Sequence, residues 1–471
     1  MQDTILNIVA KANAYLSDYI LIFLLVGVGL FYSIKTRFVQ VRCFGEGMKK
    51  VFGNFKLSGG SNGKGMSSFQ ALAAAIAAQV GTGNIVGASG AILVGGPGAI
   101  FWMWIIAFLG MATIYAEAVL AQETKITDAE GNIHGGPVYY IKKAFPNGFG
   151  KFLAVFFAIA AILALGFMGS MVQTNSISEA ICSAINVDYT AYGWIIGVII
   201  AIISAFIFIG GVKRLAAVTE KLVPVMATLF LLGGLVVLIC RIQYIPATFG
   251  MIFKYAFTPA ALIGGGIGYA LKTAISQGAK RGLFSNEAGM GSTPHAHAMA
   301  EVEKPHDQGV VAMIGVFIDT FVVLTMTALV VISCLFVGDG PLAGLSGDAY
   351  IAATSGADAI VAKTTAMQMA VSSVLSPGFG KIFVAVCLLF FAYSTVISWN
   401  FFGKLNVQYL FNNKKSATII YSIIAIVFIF LGTCLSNDLV WELTDFFNYL
   451  MVLPNAIALF ALSKLVKGKK D

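Results

Sequence analysis

The chain has 471 residues, 58% hydrophobic and only 11% charged, with a mean hydropathy of +0.86 and a formal net charge of +8. That balance excludes a soluble globular domain, which needs more polar surface to face water. Apolar runs of about 20 residues recur from end to end, long enough to cross a bilayer core as helices. A β-barrel is excluded as well, since its strands would alternate polar and apolar residues in runs of about 10. The sequence therefore reads as an all-α polytopic membrane protein.

Eleven transmembrane helices are predicted, at roughly 18–34, 67–94, 98–122, 150–183, 190–210, 216–240, 266–299, 309–337, 380–404, 417–435 and 440–463. The first apolar run, 19–32, reads as an ordinary first helix and not a signal peptide. Asp18 flanks it, no positive segment leads it and no small-residue cleavage site follows. Loops on one side of this topology, with the C-terminal tail, carry 22 of the 30 basic residues; Lys35, Arg37, Lys49, Lys56, Lys64, Lys142, Lys213, Arg214, Lys414, Lys469 and Lys470 are among them. The positive-inside rule makes that side cytoplasmic, with the N-terminus outside and the C-terminus inside a plasma membrane. The positive charge is thus a topology signal, and nothing supports a nucleic-acid partner. The long loop 338–379, with Asp339, Asp348 and Asp358, is expected outside, holding a short helix or a gate. The six cysteines form no C-x-x-C pair and read as small core hydrophobes.

The second span is interrupted. "ALAAAIAA" runs into Gln79-Val80-Gly81-Thr82-Gly83-Asn84, where a glycine costs about 1 kcal/mol relative to alanine in a helix. A polar cluster at mid-bilayer depth is expensive and usually functional, although each glycine by itself could equally be a close-packing position. The seventh span carries a matching interruption, "RGLFSNEAGMGS" at 281–292. Asn84-x-x-Gly87 aligns with Asn286-x-x-Gly289 at an offset of 202 positions, or five spans. An odd number of crossings reverses direction, so the pair predicts an inverted repeat of five helices each. Residues 67–240 form the first repeat and 241–463 the second. Before them come an extra helix and basic loop at 1–66, and after them a basic tail at 464–471. Interrupted helices at corresponding positions point to a transporter's central site. Freed N–H groups suit a carboxylate, and freed carbonyls suit Na⁺ or an ammonium.

A third polar cluster is Tyr393 to Asn400, where Ser394 and Thr395 are adjacent hydroxyls. They either back-bond to carbonyls one turn earlier or serve as oxygen ligands for Na⁺. Arg281 and Glu287 lie within a span, as a salt bridge or beside a water-filled cavity. Glu117, Glu179 and Asp319 are either proton relays or structural partners of polar groups. His295 and His297 have no third metal ligand in spacing and read as polar residues at a helix end on the basic side. With no nucleophile–base pair, no metal-ligand set and no phosphate loop, neither an enzyme nor an organic cofactor is expected.

At these residues the sequence resembles the alanine or glycine:cation symporters. The motifs are "GTGNIVG" (81–87), "GGPGAIFWMWIIAFLGM" (95–111), "YAEAVLA" (115–121), "GGPVYYI" (135–141), "RGLFSNEAGMGS" (281–292) and "IDTFVVLTMTALVV" (318–331), in order over most of the chain. Two stretches depart from the family pattern. "ATIYAEAVLAQET" lacks a basic residue expected near Ile114, and "STPHAHA" replaces a more apolar run.

The resemblance implies a leucine-transporter-like 5+5 fold preceded by one extra helix. It also implies Na⁺-coupled symport of a small neutral amino acid, alanine or glycine, by alternating access. The implied substrate site lies between the two interruptions. Backbone N–H groups of Gly81, Thr82 and Gly83 would hold the carboxylate. Carbonyls at Gly282, Leu283 and Phe284, beside the Gln79 side chain, would take the amino group. Ser285, Asn286 and Asn84 would complete the surroundings, with Phe284 and Trp399 limiting the side-chain space. The implied Na⁺ site joins the carbonyls of Ala77 and Val80 to the hydroxyls of Ser394 and Thr395. Proton coupling through Glu117 or Asp319 is the alternative within transport, and a channel stands further off.

Overall fold

The computed structural model describes residues 2–53, 65–129, 131–208, 211–356 and 359–468, without the side chains of 211–216. Lys56, Lys64, Asp358, Lys469 and Lys470 lie outside the described residues, and the side chains of Lys213 and Arg214 are likewise not described.

In chain order the main helices begin with α1 (Gln2–Lys35), α2 (Phe44–Phe52), α3 (Ser68–Gln79), α4 (Gly83–Gly95) and α5 (Ala99–Thr124). A two-stranded antiparallel hairpin follows, β1 (Ile126–Thr127) and β2 (Ile133–His134). Then come α6 (Pro137–Ala144), α7 (Gly148–Ala184), α8 (Tyr189–Phe208), α9 (Gly211–Cys240), α10 (Ile245–Phe257) and α11 (Ile267–Asn286). The remainder are α12 (Pro294–Ala298), α13 (Pro305–Leu335), α14 (Gly347–Thr354), α15 (Ala366–Val374), α16 (Pro377–Leu410), α17 (Lys415–Gly432) and α18 (Asn437–Ala461).

Among the described residues, nine helices are long and apolar enough to cross a membrane, and the bent pair α3–α4 makes ten. The remaining expected span, the seventh at 266–299, does not meet that measure. It stops as a helix at Asn286, resumes only as the short α12, and its long part carries Lys272, Lys280 and Arg281. Those cations are paired. Lys272 and Lys280 reach Asp18 of α1 at 2.9 and 3.7 Å, and Ser276 donates to the same carboxylate at 2.7 Å. Charge within a span is tolerable when neutralised in this way, and here it also fastens the extra first helix to α11.

Burial separates a central bundle from a periphery. In α16 and α5, 72% and 67% of the crossing stretch is buried, against 22% in α17 and 28% in α9. The peripheral helices expose apolar side chains such as Phe206 and Ile202 of α8 and Ile420 and Ile423 of α17. Exposed apolar bands on spanning helices are what a lipid environment stabilises.

Local chemistry sets the helix starts. Ser67 and Gln70 form a reciprocal capping box at α3, and Asn147 accepts from the Gly150 N–H at α7. Pro137, Pro294, Pro305 and Pro377 stand in first turns, where the missing N–H is no loss.

Short helices on the loops complete the fold. On the basic side α2 packs against the start of α13, and the hairpin is clipped by His134 bonding Asp128 at 2.9 Å. Hydrogen bonds from His134 and Asn132 hold the Asp128 carboxyl well below the usual carboxylate range. On the other side the long loop 338–379 contains α14 and α15, in agreement with the expectation of a short helix there. Tyr350 of α14 donates to the Leu93 carbonyl at 2.8 Å, closing the end of α4.

Candidate functional site

The interruption of the second span is real and sharp. α3 ends at Gln79, Val80 leaves helical geometry at ψ 85°, and α4 departs at 48° to α3. α4 begins with a wide π-type turn over Gly83–Gly87, and another such turn, Phe317–Leu324, interrupts α13 beside it. Wide turns of this kind free backbone groups and recur at functional sites.

The second interruption lies against the first. α11 ends as Glu287 adopts left-handed backbone (φ 58°). The Gln79 side chain donates to the Asn286 carbonyl at 2.7 Å. A Cβ on Gly83 would stand 2.9 Å from a Phe284 ring carbon and 3.2 Å from Ser285 Cα. One on Gly81 would stand 2.4 Å from Thr395 Oγ1. Glycine at both positions is therefore required by close approach of neighbouring chain.

Asp319 ties the two interruptions together. Asn84 Nδ2 donates to its carboxylate at 2.7 Å, Ser285 Oγ at 2.8 Å and Thr320 Oγ1 at 2.8 Å. Asn286 in turn donates to Thr320 Oγ1 at 3.3 Å. Among the described residues Asp319, Glu117 and Glu287 form no ion pair and are held by neutral donors. Glu117 accepts from Asn455 at 2.6 Å and from the Gly289 N–H at 3.1 Å. Glu287 accepts from Trp399 Nε1 at 2.5 Å and from Ser292 Oγ. Glu179 accepts from Asn437 at 3.2 Å.

Of the expected N–H groups, two are already engaged. The Gly81 N–H donates to Asn84 Oδ1 at 3.1 Å, and the Thr82 N–H to Gln173 Oε1 at 3.1 Å. Gln173 of α7, which lines the break through this bond, was not singled out in the sequence. The signal was present as a polar run, Gln173 to Glu179, within an otherwise apolar span. Around the break, Gln79 Oε1, Thr82 Oγ1 and Gln173 Nε2 are buried and make no hydrogen bond with protein. Unsatisfied buried polar atoms are costly and call for a ligand or water. A Cβ on Gly282 would meet Ile106 at 3.6 Å and Met103 at 3.8 Å, both ordinary contacts. Leu283, Phe284, Ser285 and Asn286 are all buried at the end of α11. The Phe284 ring packs at 4.7 Å from Trp441 and 5.7 Å from Trp399.

Ser394 and Thr395 meet α3 from α16. Thr395 Oγ1 lies 3.0 Å from the Ala77 carbonyl and 3.3 Å from that of Ala78, and Ser394 Oγ lies 3.3 Å from Ala77. Among the described residues the pair's hydrogen bonds to α3 end on Ala77 and Ala78, and none reaches Val80. Both hydroxyls also lie within reach of the Phe391 carbonyl, at 2.8 and 3.1 Å. The two readings of this pair are compatible. Each hydroxyl has one proton, and donating it to Phe391 leaves oxygen lone pairs facing the α3 carbonyls, a set of oxygens that suits Na⁺.

Arg281 pairs with Asp445 of α18, not with Glu287, at 2.8 and 3.3 Å, with its guanidinium 4.6 Å from the Trp441 ring centre. Of the two readings left open for Arg281, the structure supports the salt bridge. His295 bonds the Ser292 carbonyl at 2.7 Å and Asn406 at 2.9 Å, and His297 bonds Gln308 at 2.9 Å.

The family model described as the sodium:alanine symporter family matches residues 2–470. The sodium/alanine symporter AgcS of Methanococcus maripaludis is 39% identical over 461 residues, covering 98% of this chain and 95% of that protein. A Bacillus subtilis protein named as a probable sodium/glutamine symporter, GlnT, is 37% identical, covering 99% of this chain and 90% of its own. Among solved structures, MhsT in complex with L-phenylalanine superposes with a TM-score of 0.58 at 15% identity, over 85% of this chain and 90% of that one. That likeness gives the leucine-transporter fold. Two touching helix interruptions, a fold shared with amino-acid transporters and a match along nearly the whole length converge on one conclusion: this integral membrane protein is a transporter, not an enzyme, and belongs to the sodium:alanine symporter family.

Proposed function

We propose that the chain is a sodium-coupled symporter that imports alanine or glycine by alternating access. The carrying observation is the junction of the two interruptions, where Gln79 Oε1, Thr82 Oγ1 and Gln173 Nε2 are buried without hydrogen-bond partners. A zwitterion supplies both an anionic and a cationic end for such groups. Its carboxylate would accept from the backbone at Gly83, and from Thr82 once Gln173 moves aside. Its ammonium would lie toward Gln79 and the carbonyls ending α11. The aromatic wall of Phe284, Trp399 and Trp441 favours a hydrogen or methyl substituent over a glutamine-sized one. Na⁺ would sit between the Ala77 and Ala78 carbonyls and the hydroxyls of Ser394 and Thr395. The two ligands then share α3, so each raises the other's affinity. The basic side faces the cytoplasm of a cell whose plasma membrane holds the protein.

Purified protein in liposomes is expected to take up alanine or glycine under an inward Na⁺ gradient and to take up glutamine poorly. Equal uptake with choline replacing Na⁺ would remove Na⁺ coupling from the proposal. The buried carboxylates Asp319, Glu287 and Glu117, which have no cationic partner among the described residues, favour proton coupling as the second reading. Uptake driven by a pH gradient in the absence of Na⁺ would select it.

A further inference from the structure

On the basic side, α2 brings two side chains against the start of α13. Cys43 flanks the first residue of α2, Glu46 lies in its first turn, and His306 is the second residue of α13. The Cys43 sulfur, a Glu46 carboxylate oxygen and a His306 ring nitrogen all lie within 4.8 Å of one another. Cys43 is buried and the other two are partly buried.

The hydrogen bonds around His306 fix its tautomer. Tyr115 Oη donates its single proton to the Lys467 carbonyl at 2.9 Å, so at 2.8 Å it accepts from His306 Nδ1–H. In the neutral ring Nε2 then carries a lone pair. That atom is buried and makes no hydrogen bond among the described residues, and Glu46 Oε1 stands 3.5 Å from it. A nitrogen lone pair, a carboxylate and a sulfur therefore converge from two helices, and a cation is what such a group attracts.

We propose that Cys43, Glu46 and His306 form a site for a divalent transition metal of the zinc class. Thiolate, imidazole and carboxylate are ligands that zinc takes together, and three protein ligands leave a fourth position for water. Tyr115 is the positioning residue, holding the ring through its other nitrogen as outer partners of metal-bound histidines do. The site departs from the reading of Cys43 as a plain core hydrophobe.

Its place in the fold gives it a consequence. Bonds of about 2.0–2.3 Å to one ion hold ligand atoms closer together than 4.8 Å, so binding draws α2 toward α13. The Lys50–Asp307 pair at 3.2 Å already joins the same two helices. Met48, Val51 and Phe52 of α2 line an apolar groove of about 360 Å³ whose other wall includes Leu72, Ala73 and Ile76 of α3. A metal that fixes α2 therefore fixes one wall of the groove that faces α3, the helix half that leads to the proposed transport site.

The test is a Co²⁺ titration of the purified full-length chain in detergent, without a polyhistidine tag. The expected result is one equivalent bound, with thiolate-to-cobalt charge-transfer absorption and tetrahedral d–d bands, both removed by Zn²⁺. Cys43→Ser should lose the charge-transfer band, and His306→Gln should weaken Co²⁺ binding at least tenfold. Zn²⁺ should raise the Tm of the wild type but not that of Cys43→Ser. Absence of the charge-transfer band in the wild type would overturn the site and leave a His306–Glu46 ion pair. Persistence of the band in Cys43→Ser, or unchanged affinity in His306→Gln, would overturn it equally. Size-exclusion profiles and metal-free Tm values of both variants establish that each is folded.

Discussion

Gly83 is where the two interruptions press on each other. A Cβ there meets the Phe284 ring at 2.9 Å and the backbone of Ser285 at 3.2 Å. The ring has little freedom to yield, because Trp441 and Trp399 pack against it at 4.7 and 5.7 Å. A larger side chain must therefore push α4 away from the end of α11, at the roughly 1–3 kcal/mol typical of overpacking. The same side chain would occupy the space assigned to the substrate carboxylate. Gly83→Leu is expected to abolish uptake while the protein remains monodisperse, and Gly83→Ala to lower it about tenfold with a small fall in Tm. Uptake by Gly83→Leu at the wild-type rate would sink the assignment of the site to this junction. Gly81 behaves similarly toward α16, since its added Cβ would lie 2.4 Å from Thr395 Oγ1.

Between elements, the joint of α3 with α16 carries the proposed ion coupling. Ser394 and Thr395 both reach the Ala77 carbonyl, and Thr395 that of Ala78 as well, just before the break, so an ion held there stiffens the helix end that shapes the amino-acid site. Replacing both by alanine removes two of the oxygens. The Na⁺ concentration for half-maximal uptake should then rise about tenfold, equivalent to roughly 1.4 kcal/mol. An unchanged Na⁺ dependence would leave the pair as back-bonding hydroxyls on Phe391. The break, its partner 202 positions later and the hydroxyl pair were legible in the sequence, because each is a local polar defect in an apolar run. The polar run at Gln173 was visible, but its contact with the break, the pairing of Arg281 with Asp445 and the bond from Trp399 to Glu287 were not legible. Each depends on which helix faces which, and no local pattern encodes that. α11 was read as part of an interrupted span, with the partner of Arg281 left open. Its three cations become affordable only through Asp18 and Asp445, which lie in distant helices. The short α2 and α10, of nine and thirteen residues, were passed over as loop, since so few turns are too short to span a bilayer and give only a weak period.

At the scale of the whole molecule, the junction is closed from both ends. Thr82, Asn84, Ser285 and Ser394 are fully buried. Toward the loop 338–379, Tyr350 caps α4 and Lys363 bonds Asp438 at 2.7 Å. On the basic side, Ser68 donates to Gln308 at 2.7 Å and Gln70 to Glu220 at 3.1 Å, tying the free end of α3 to α13 and α9. Alternating access requires one set of ties to open while the other holds. Gln70 also closes the capping box of α3, so replacing it would confound opening with fraying. Ser68→Ala with Glu220→Ala removes both ties and leaves the cap. Two such bonds are worth about 2 kcal/mol together, or roughly 30-fold in the balance between closed and open states. Hydrogen exchange in residues 68–79 should therefore speed up by tenfold or more, while α5 keeps its protection. Apparent affinity for the amino acid should fall with it, because the closed, binding-competent form becomes a smaller share of the molecules. Exchange in 68–79 at the wild-type rate would show that α3 is held by its apolar packing, and that the opening motion lies in another part of the bundle.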